Sequence, residues 1–429
     1  MRTAGVLIAL YLCALPAFVM CCIASTVNLF RKNTKTPASG RTVMLTGGKM
    51  TKCLQLARLF AANGDRVIVT ATPLYKYCGS RYSNRVDQFV LIPEITDDGK
   101  AHMDALIQVA TDFSVDLFVP VSSPKSAYYE ALAKPNFPPT TKVFQPDADV
   151  IATLDDKHQF VALAESYGLS VPESHDIRSV NDLLNYEWPS GKQYILKKID
   201  YDPVYRLDLR PLPHQGWEER VRQYPISADE PWVLQEFITG REICTHTTTQ
   251  DGNMNLYICC DSSPFQVNYK MLDLPQVYDW VESFVSKLGA TGQLSFDFFV
   301  QDDGRVVPIE CNPRTHSAIT LMHNQPRTAE AYYADSQVAL KPLEHAGHTY
   351  WLYHELHRLF TAGCWSKFRS VVHTIWTGKE AVWNWKDPWP FFWNNHVSIP
   401  YQLLQVRSKG QPWTRIDFNI GKIIVPGGD

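Results

Sequence analysis

Much of what would point to a familiar chemistry is missing from this chain. The ten cysteines include no Cys-x-x-Cys pair, so neither a zinc site nor a disulfide framework is indicated, and a reducing compartment fits best. There is no Gly-x-Gly-x-x-Gly and no Gly-x-x-x-x-Gly-Lys-Ser/Thr loop, which removes the two commonest phosphate cradles. Excess charge is lacking too: 41 Lys and Arg against 44 Asp and Glu leave −3, which argues against general nucleic-acid binding. No spacing suggests a Ser/His/Asp triad, and no internal repeat or low-complexity tract appears. Residues 4–30 carry no charge at all.

That uncharged run is long enough to cross a bilayer, which takes about 20 apolar residues. Pro16 is placed to kink it. Arg31, Lys32, Lys35 and Arg41 outweigh Arg2 at the other end, so the positive-inside rule makes residues 1–41 a single-pass N-terminal membrane anchor and linker, with the body in the cytoplasm. A cleaved signal peptide is the rival reading, but its apolar core is normally about 7–15 residues. The remainder of the 429 residues is enough for two or three domains.

From Thr42 the pattern is α/β. TVMLT, RVIVT, QFVLI and VDLFVPV read as strands separated by helical stretches, which implies a parallel sheet with right-handed crossovers over residues 42–150. The first strand–helix turn, TGGKMTK (46–52), either offers backbone amides to an anionic substrate or is simply tight. In residues 154–172, Asp155 or Asp156 caps a helix that Gly168 ends. Lys157 lies in its first turn, where a lysine opposes the helix dipole, and this favours a phosphate-facing role. YILKKI (194–199) points Lys197 and Lys198 to opposite faces. In PWVLQEFITGREICTH (231–246) an apolar connector between two strands can offer backbone groups to an adenine edge, and either Glu236 or Glu242 can accept from ribose hydroxyls.

The stretch LSFDFFVQDDGRVVPIECNPRTHSAI (294–319) reads as a β-hairpin around Asp303-Gly304, a dipeptide favoured in two-residue type I′ turns. That turn pairs Asp302 with Arg305. Counting outward sets Asp297 opposite Glu310, and Asn312 on the same face opposite Ser295. Opposed side chains lie roughly 4.5–5.5 Å apart at Cβ, so two carboxylates there repel unless a cation joins them. With the amide oxygen they form a hard-oxygen set suited to Mg²⁺. Arg314 follows within reach of the same phosphates. A solvated hairpin face would explain an isolated acid pair. Here the acids stand among Phe296, Phe298, Phe299 and Ile309, and the run E-x-N-P-R follows, which favours a metal–nucleotide site. After about residue 335 the chain turns rich in Trp and Pro, as in WKDPWPFFW (385–393), fitting either a bilayer interface or a cap.

In this order the elements resemble an ATP-grasp ligase: an N-terminal Rossmann-like parallel sheet (42–150), a small lid domain (151–237) and a C-terminal mixed-sheet domain (238–335), followed by an aromatic extension (336–429). The resemblance implies ATP between the last two domains. It places the cofactor-binding residues at Lys157, Lys197, Glu236, Phe237, Ile238 and Glu242, the first two being the family's lysines, the next three its adenine hinge and Glu242 its ribose acid. The magnesium ligands fall on Asp297, Glu310 and Asn312, and the catalytic pair on Arg314 and Lys197. One departure is the lid loop, glycine-rich in many members. Here DYDPVYRLDLRPLPHQ (200–215) has no glycine, leaving Arg206, Arg210 or His214 for phosphate covering. GGKMTKCLQLARLFAANG, ILKKIDYDPVYRLDL, LQEFITGREICTH, SSPFQVNY, IECNPRTHSAI and the closing WTRIDFNIGK are similar to the mycosporine-glycine synthase branch of that family. This implies ATP-dependent condensation of 4-deoxygadusol with glycine through an enol phosphate. The TGGKMTK turn and residues 266–269 are the candidates for the organic substrates. Two other functions are carried alongside: another carboxylate–amine ligase, and a non-catalytic, membrane-attached nucleotide-binding protein, which should have lost a metal ligand or lysine. Association as a homodimer stays open.

Overall fold

The computed structural model describes residues 2–31, 37–121, 123–198, 210–262, 268–334 and 338–425. It begins with α1 (Arg2–Phe30), one helix continuous through Pro16. β1 (Thr42–Leu45), α2 (Thr51–Ala62), β2 (Arg66–Ala71), β3 (Gln88–Leu91), α3 (Lys100–Asp112), β4 (Leu117–Val119), α4 (Pro124–Ala133) and β5 (Lys142–Val143) follow. Their strands form the expected parallel sheet, in the order β3-β2-β1-β4-β5. β1 and β2 are apolar on both faces because both are covered. Val43, Leu45, Val67 and Val69 pack with α2, and Met44 and Ile68 pack with Leu106 and Val109 of α3. Strand order reverses between β1 and β4, so a crevice opens at their carboxyl ends. Gly64 ends α2 at φ +89°, and a Cβ there would lie 2.1 Å from the Pro37 carbonyl oxygen.

The second unit starts with α5 (Ala148–Asp155) and α6 (Lys157–Ser166). β6 (Ser174–Ile177), α7 (Val180–Leu184), β7 (Tyr194–Lys198), α8 (Trp217–Val221) and β8 (Trp232–Glu236) then build a small antiparallel sheet of order β6-β8-β7. Tyr194, Trp217, Trp232 and Leu234 supply its core. A four-stranded antiparallel sheet comes next: β9 (Arg241–Gln250), β10 (Asn253–Asp261), then, after β11 (Tyr269–Lys270) and α9 (Pro275–Leu288), β12 (Gly292–Val300) and β13 (Val306–Asn312), in the order β10-β9-β12-β13. Trp280 and Phe284 of α9 pack on Phe296 and Phe298, so alternate residues of β12 face away from that core.

The remaining elements are α10 (Glu330–Tyr333), β14 (His348–Tyr350), α11 (Leu352–Phe360), α12 (Trp365–Thr377), β15 (Lys379–Glu380), α13 (Trp389–Trp393), α14 (Ile399–Ser408), β16 (Arg415–Asp417) and β17 (Lys422–Ile424). They are not a detached tail. β14 pairs with β11. Arg58 of α2 and Asp387 form a buried ion pair at 2.9 Å. Ser83 Oγ and the Asn84 N–H also donate to that carboxylate. The same segment covers one side of α1: Trp389 Nε1 donates to Ser25 Oγ, and Trp413 Nε1 to Thr3 Oγ1. The chain's two ends therefore pack on each other and on the parallel-sheet unit.

Candidate functional site

The site is built on β12 and β13. Their register pairs Asp297 with Glu310 and Ser295 with Asn312, as counted from the sequence, but the connection differs. Val300 pairs with Val306, and the Gln301 N–H donates to the Arg305 carbonyl. The loop is therefore three residues, Asp302, Asp303 and Gly304, and Asp302 does not pair with Arg305. Gly304 takes φ +88°, the left-handed position such loops require. A bulge at Ile309 inserts one extra residue between Pro308 and Glu310 and restores the face.

The opposed carboxylates are shifted in opposite directions. Burial, and next the Glu310 carboxylate, push Asp297 well above the usual carboxylate range. Burial pushes Glu310 up as well, but Lys157, together with hydrogen bonds from Asn312 and Asp297, holds it below its ordinary value. Lys157 Nζ lies 2.6 Å from the Glu310 carboxylate. Asp156 puts Lys157 there by capping α6, accepting from the His158 and Gln159 N–H groups at 2.9 and 2.8 Å. Lys197, on β7 of the small antiparallel sheet, donates to Gln235 Oε1 at 2.7 Å. Burial, then Lys157, lowers its amine to about 8. Lys198 on the opposite face pairs with Glu230 at 2.9 Å.

Arg314 is held rather than free. Its guanidinium donates to Asp155 at 2.7 Å and to the Asn312 amide oxygen, and Asn312 donates to Glu310. Asp155, which the sequence offered only as a helix cap, is thus the residue that orients Arg314. Glu236 carries a different load from the hinge role: its carboxylate takes Arg305 at 3.0 and 3.1 Å and the Glu173 N–H. Phe237 donates its N–H to the Gln193 carbonyl, and Ile238 is buried beside it. Glu242 is exposed, pairs in register with Phe299, and accepts from Ser262 Oγ. Residues 199–209, including Arg206, lie outside the described residues, as does Gln266. His214 contacts the neighbouring Gln215 carbonyl.

Two residues went unnoticed in the sequence. Lys52, in the first turn of α2, is buried and donates to the Thr315 carbonyl at 2.5 Å. Burial, then Arg314 and Lys49, lower its amine to about 7. It ties the TGGKMTK turn to the loop after β13. His246 shares the Glu242–Cys244 face of β9, and its Nδ1 accepts the His316 N–H. The alternation in REICTH contained that signal. The turn itself borders a cavity of ≈ 60 Å³ lined by Thr46, Gly48, Lys49, Thr70, Tyr75 and His102.

Among the described residues no three His, Cys, Asp or Glu side chains converge. A metal set here consists of two carboxylates and the Asn312 amide. The donor chemistry fits a hard divalent cation, because a cation between Asp297 and Glu310 offsets both the burial of the Asp297 charge and its repulsion by Glu310.

No family model matches the sequence, and no curated protein does. Solved structures match the fold. N5-carboxyaminoimidazole synthetase from Staphylococcus aureus aligns with TM-score 0.52 at 15% identity, over 71% of this chain and 80% of that one. The same enzyme complexed with ADP aligns with TM-score 0.51 at 16% identity, over the same shares, 71% and 80%. The biotin carboxylase–β,γ-ATP complex from Campylobacter jejuni aligns with TM-score 0.50 at 14% identity, over 69% and 72%. The chain has the ATP-grasp fold, with its parallel N-terminal sheet and two antiparallel sheets, preceded by an apolar helix.

Proposed function

We propose that this protein is an ATP-dependent C–N ligase that condenses 4-deoxygadusol with glycine to give mycosporine-glycine. The observation that carries the ligase reading is the opposition of Asp297 and Glu310 beneath Lys157 and Lys197, with Arg314 beside them. Adenine lies against the Glu236–Phe237–Ile238 connector. Because Arg305 occupies the Glu236 carboxylate, Glu242 is the ribose acid. Asp297, Glu310 and Asn312 hold Mg²⁺, which when bound neutralises phosphate charge. The substrates come from the parallel-sheet side, at the TGGKMTK turn.

Phosphoryl transfer is chiefly a matter of positioning and charge neutralisation. Lys197 and Arg314 hold the γ-phosphate oxygens in line with the acceptor. 4-Deoxygadusol is an enolised 1,3-diketone, a vinylogous acid whose oxygen leaves poorly until phosphorylated. The enol oxygen attacks phosphorus and ADP departs. The glycine amine then adds to the ring carbon and phosphate leaves with that oxygen, forming the C–N bond. The substrate pair rests on the sequence resemblance, above all SSPFQVNY and the closing segment.

The test is direct: incubate the full-length protein with 4-deoxygadusol, glycine, ATP and Mg²⁺, and follow ADP, phosphate and the mycosporine chromophore. A second reading, a ligase joining a carboxylate to an amine, is supported by the fold shared with N5-carboxyaminoimidazole synthetase. Oxygen-18 separates the two. Label on the reacting oxygen of 4-deoxygadusol is expected in inorganic phosphate. If phosphate instead takes label from the glycine carboxylate, the diketone assignment is wrong and the carboxylate ligase stands. The apolar N-terminal helix is the one candidate membrane segment among the described residues, and we propose that it attaches the enzyme to a membrane with the catalytic body in the cytoplasm.

A further inference from the structure

We infer that α1 lies within one leaflet, parallel to the membrane plane, and docks the enzyme there instead of crossing the bilayer. This rests on the membrane reading of the N-terminal helix and changes its geometry.

Protein covers one side of α1 along its whole length. Near its start, Thr3 accepts from Trp413 Nε1 at 2.9 Å. Further on, the Leu10 carbonyl accepts from His396 Nδ1 at 2.9 Å. Towards its end, Ser25 accepts from Trp389 at 3.1 Å and Asn28 donates to the Trp385 carbonyl at 2.6 Å. Leu7, Leu10, Cys21 and Ala24 are buried by this contact. A helix of 29 residues is about 44 Å long. Upright in the bilayer, it would carry its partners into hydrocarbon. With them would go the buried Arg58–Asp387 ion pair, since Asp387 adjoins Pro388 in the chain and the Pro388 carbonyl accepts from Cys21 Sγ. Charges of this kind are costly at that depth.

The other side of α1 is bare. Ile8, Leu12, Leu15, Val19 and Ile23 follow each other at helical spacing, with Leu12 and Leu15 exposed by 73% and 71%. An apolar stripe of this length on the surface fits burial in the acyl boundary. A basic, aromatic hairpin, α11 and α12, is tied through His396 to the covered side of α1. Tyr353 of α11 lies 2.9 Å from His396, the residue that holds Leu10. Of α12 only Val371 is buried, while Trp365 and Trp376 project. Lys367 and Arg369 are exposed there, and residues 356–379 contain no Asp or Glu. Tryptophan with lysine and arginine suits an anionic leaflet. A second copy of this chain would present an equally basic hairpin and be repelled.

The test uses the full-length protein with an epitope at each end. Flotation with phosphatidylserine-containing vesicles reports attachment, and protease treatment of membranes with the cytosolic face outward reports topology. Both epitopes are expected to be cleaved without detergent. A protected N-terminal epitope means that the helix crosses, which overturns the inference while leaving membrane attachment intact. The pair Leu12→Lys and Leu15→Lys is expected to lower the floated fraction about tenfold or more, with an unchanged melting profile. Flotation of that variant at the wild-type level overturns the inference. Failure of the wild type to float removes the membrane reading itself, and concentration-dependent dimerisation in that case assigns the bare face to a second copy.

Discussion

Two side chains carry the sharpest expectations. Replacing Glu310 with Gln keeps its shape but removes the charge that pairs with Lys157 and that would balance the proposed cation beside Asp297. Turnover should fall by about two orders of magnitude or more, the scale of losing a major electrostatic contribution. Near-normal turnover at ordinary Mg²⁺ would rule out the metal assignment. Lys197 makes a prediction about pH. Its amine is lowered to about 8, so in the proposed site it is a cation for a phosphate oxygen below that pH and loses its charge as pH rises through it. The kcat/KM for ATP should therefore decline above pH 8. Lys197→Arg, which stays charged, should move that limb out of range. An alkaline limb that persists in the arginine variant belongs to another group.

Among the elements, the hairpin and α1 show what the sequence could and could not convey. The face shared by Asp297, Glu310 and Asn312 was legible because strand alternation is strict. The turn was not: a three-residue loop and a bulge each shift the register by one, in opposite senses, so the count reached the right pair through the wrong connection. Local sequence favours Asp-Gly in either loop, and a bulge such as that at Ile309 leaves no compositional mark. Asp155 could be read only as a candidate cap beside the true one, Asp156, and only the fold brings Arg314 to it. The apolarity of α1 was plain, but its docking was not, since its partners lie far along the chain. Two substitutions separate its sides. Leu10→Ala, on the buried side, should cost about 2–5 kcal/mol. Leu12→Ala, on the bare side, should stay within about 0.5 kcal/mol. Thermal melts of the two variants compare them directly, and equal losses would mean that α1 does not dock as described.

For the whole molecule, the buried Arg58–Asp387 pair joins the parallel-sheet unit to the C-terminal segment, with Ser83 and Asn84 completing the carboxylate's shell. Asp387→Ala leaves a guanidinium buried without its partner and should cost about 3–5 kcal/mol. Denaturant unfolding measures it, and a shift under about 1 kcal/mol would show that the ends of the molecule are not coupled through this pair. None of this was readable in advance. The order of units followed from alternating strands and helices, whereas the return of a Trp-rich tail onto the first helix depends on contacts that no local pattern encodes.

That return has a consequence for how the protein is made. Asn28 and Trp385 are separated by 357 positions. At a synthesis rate of about 5–20 residues per second, roughly 20–70 s pass between the appearance of the helix and the appearance of its cover. Throughout that interval both of its sides lack the cover that the finished protein gives one of them. On the membrane attachment proposed above, the helix reaches the bilayer before the rest of the protein exists, and the last segment to be made must find it there.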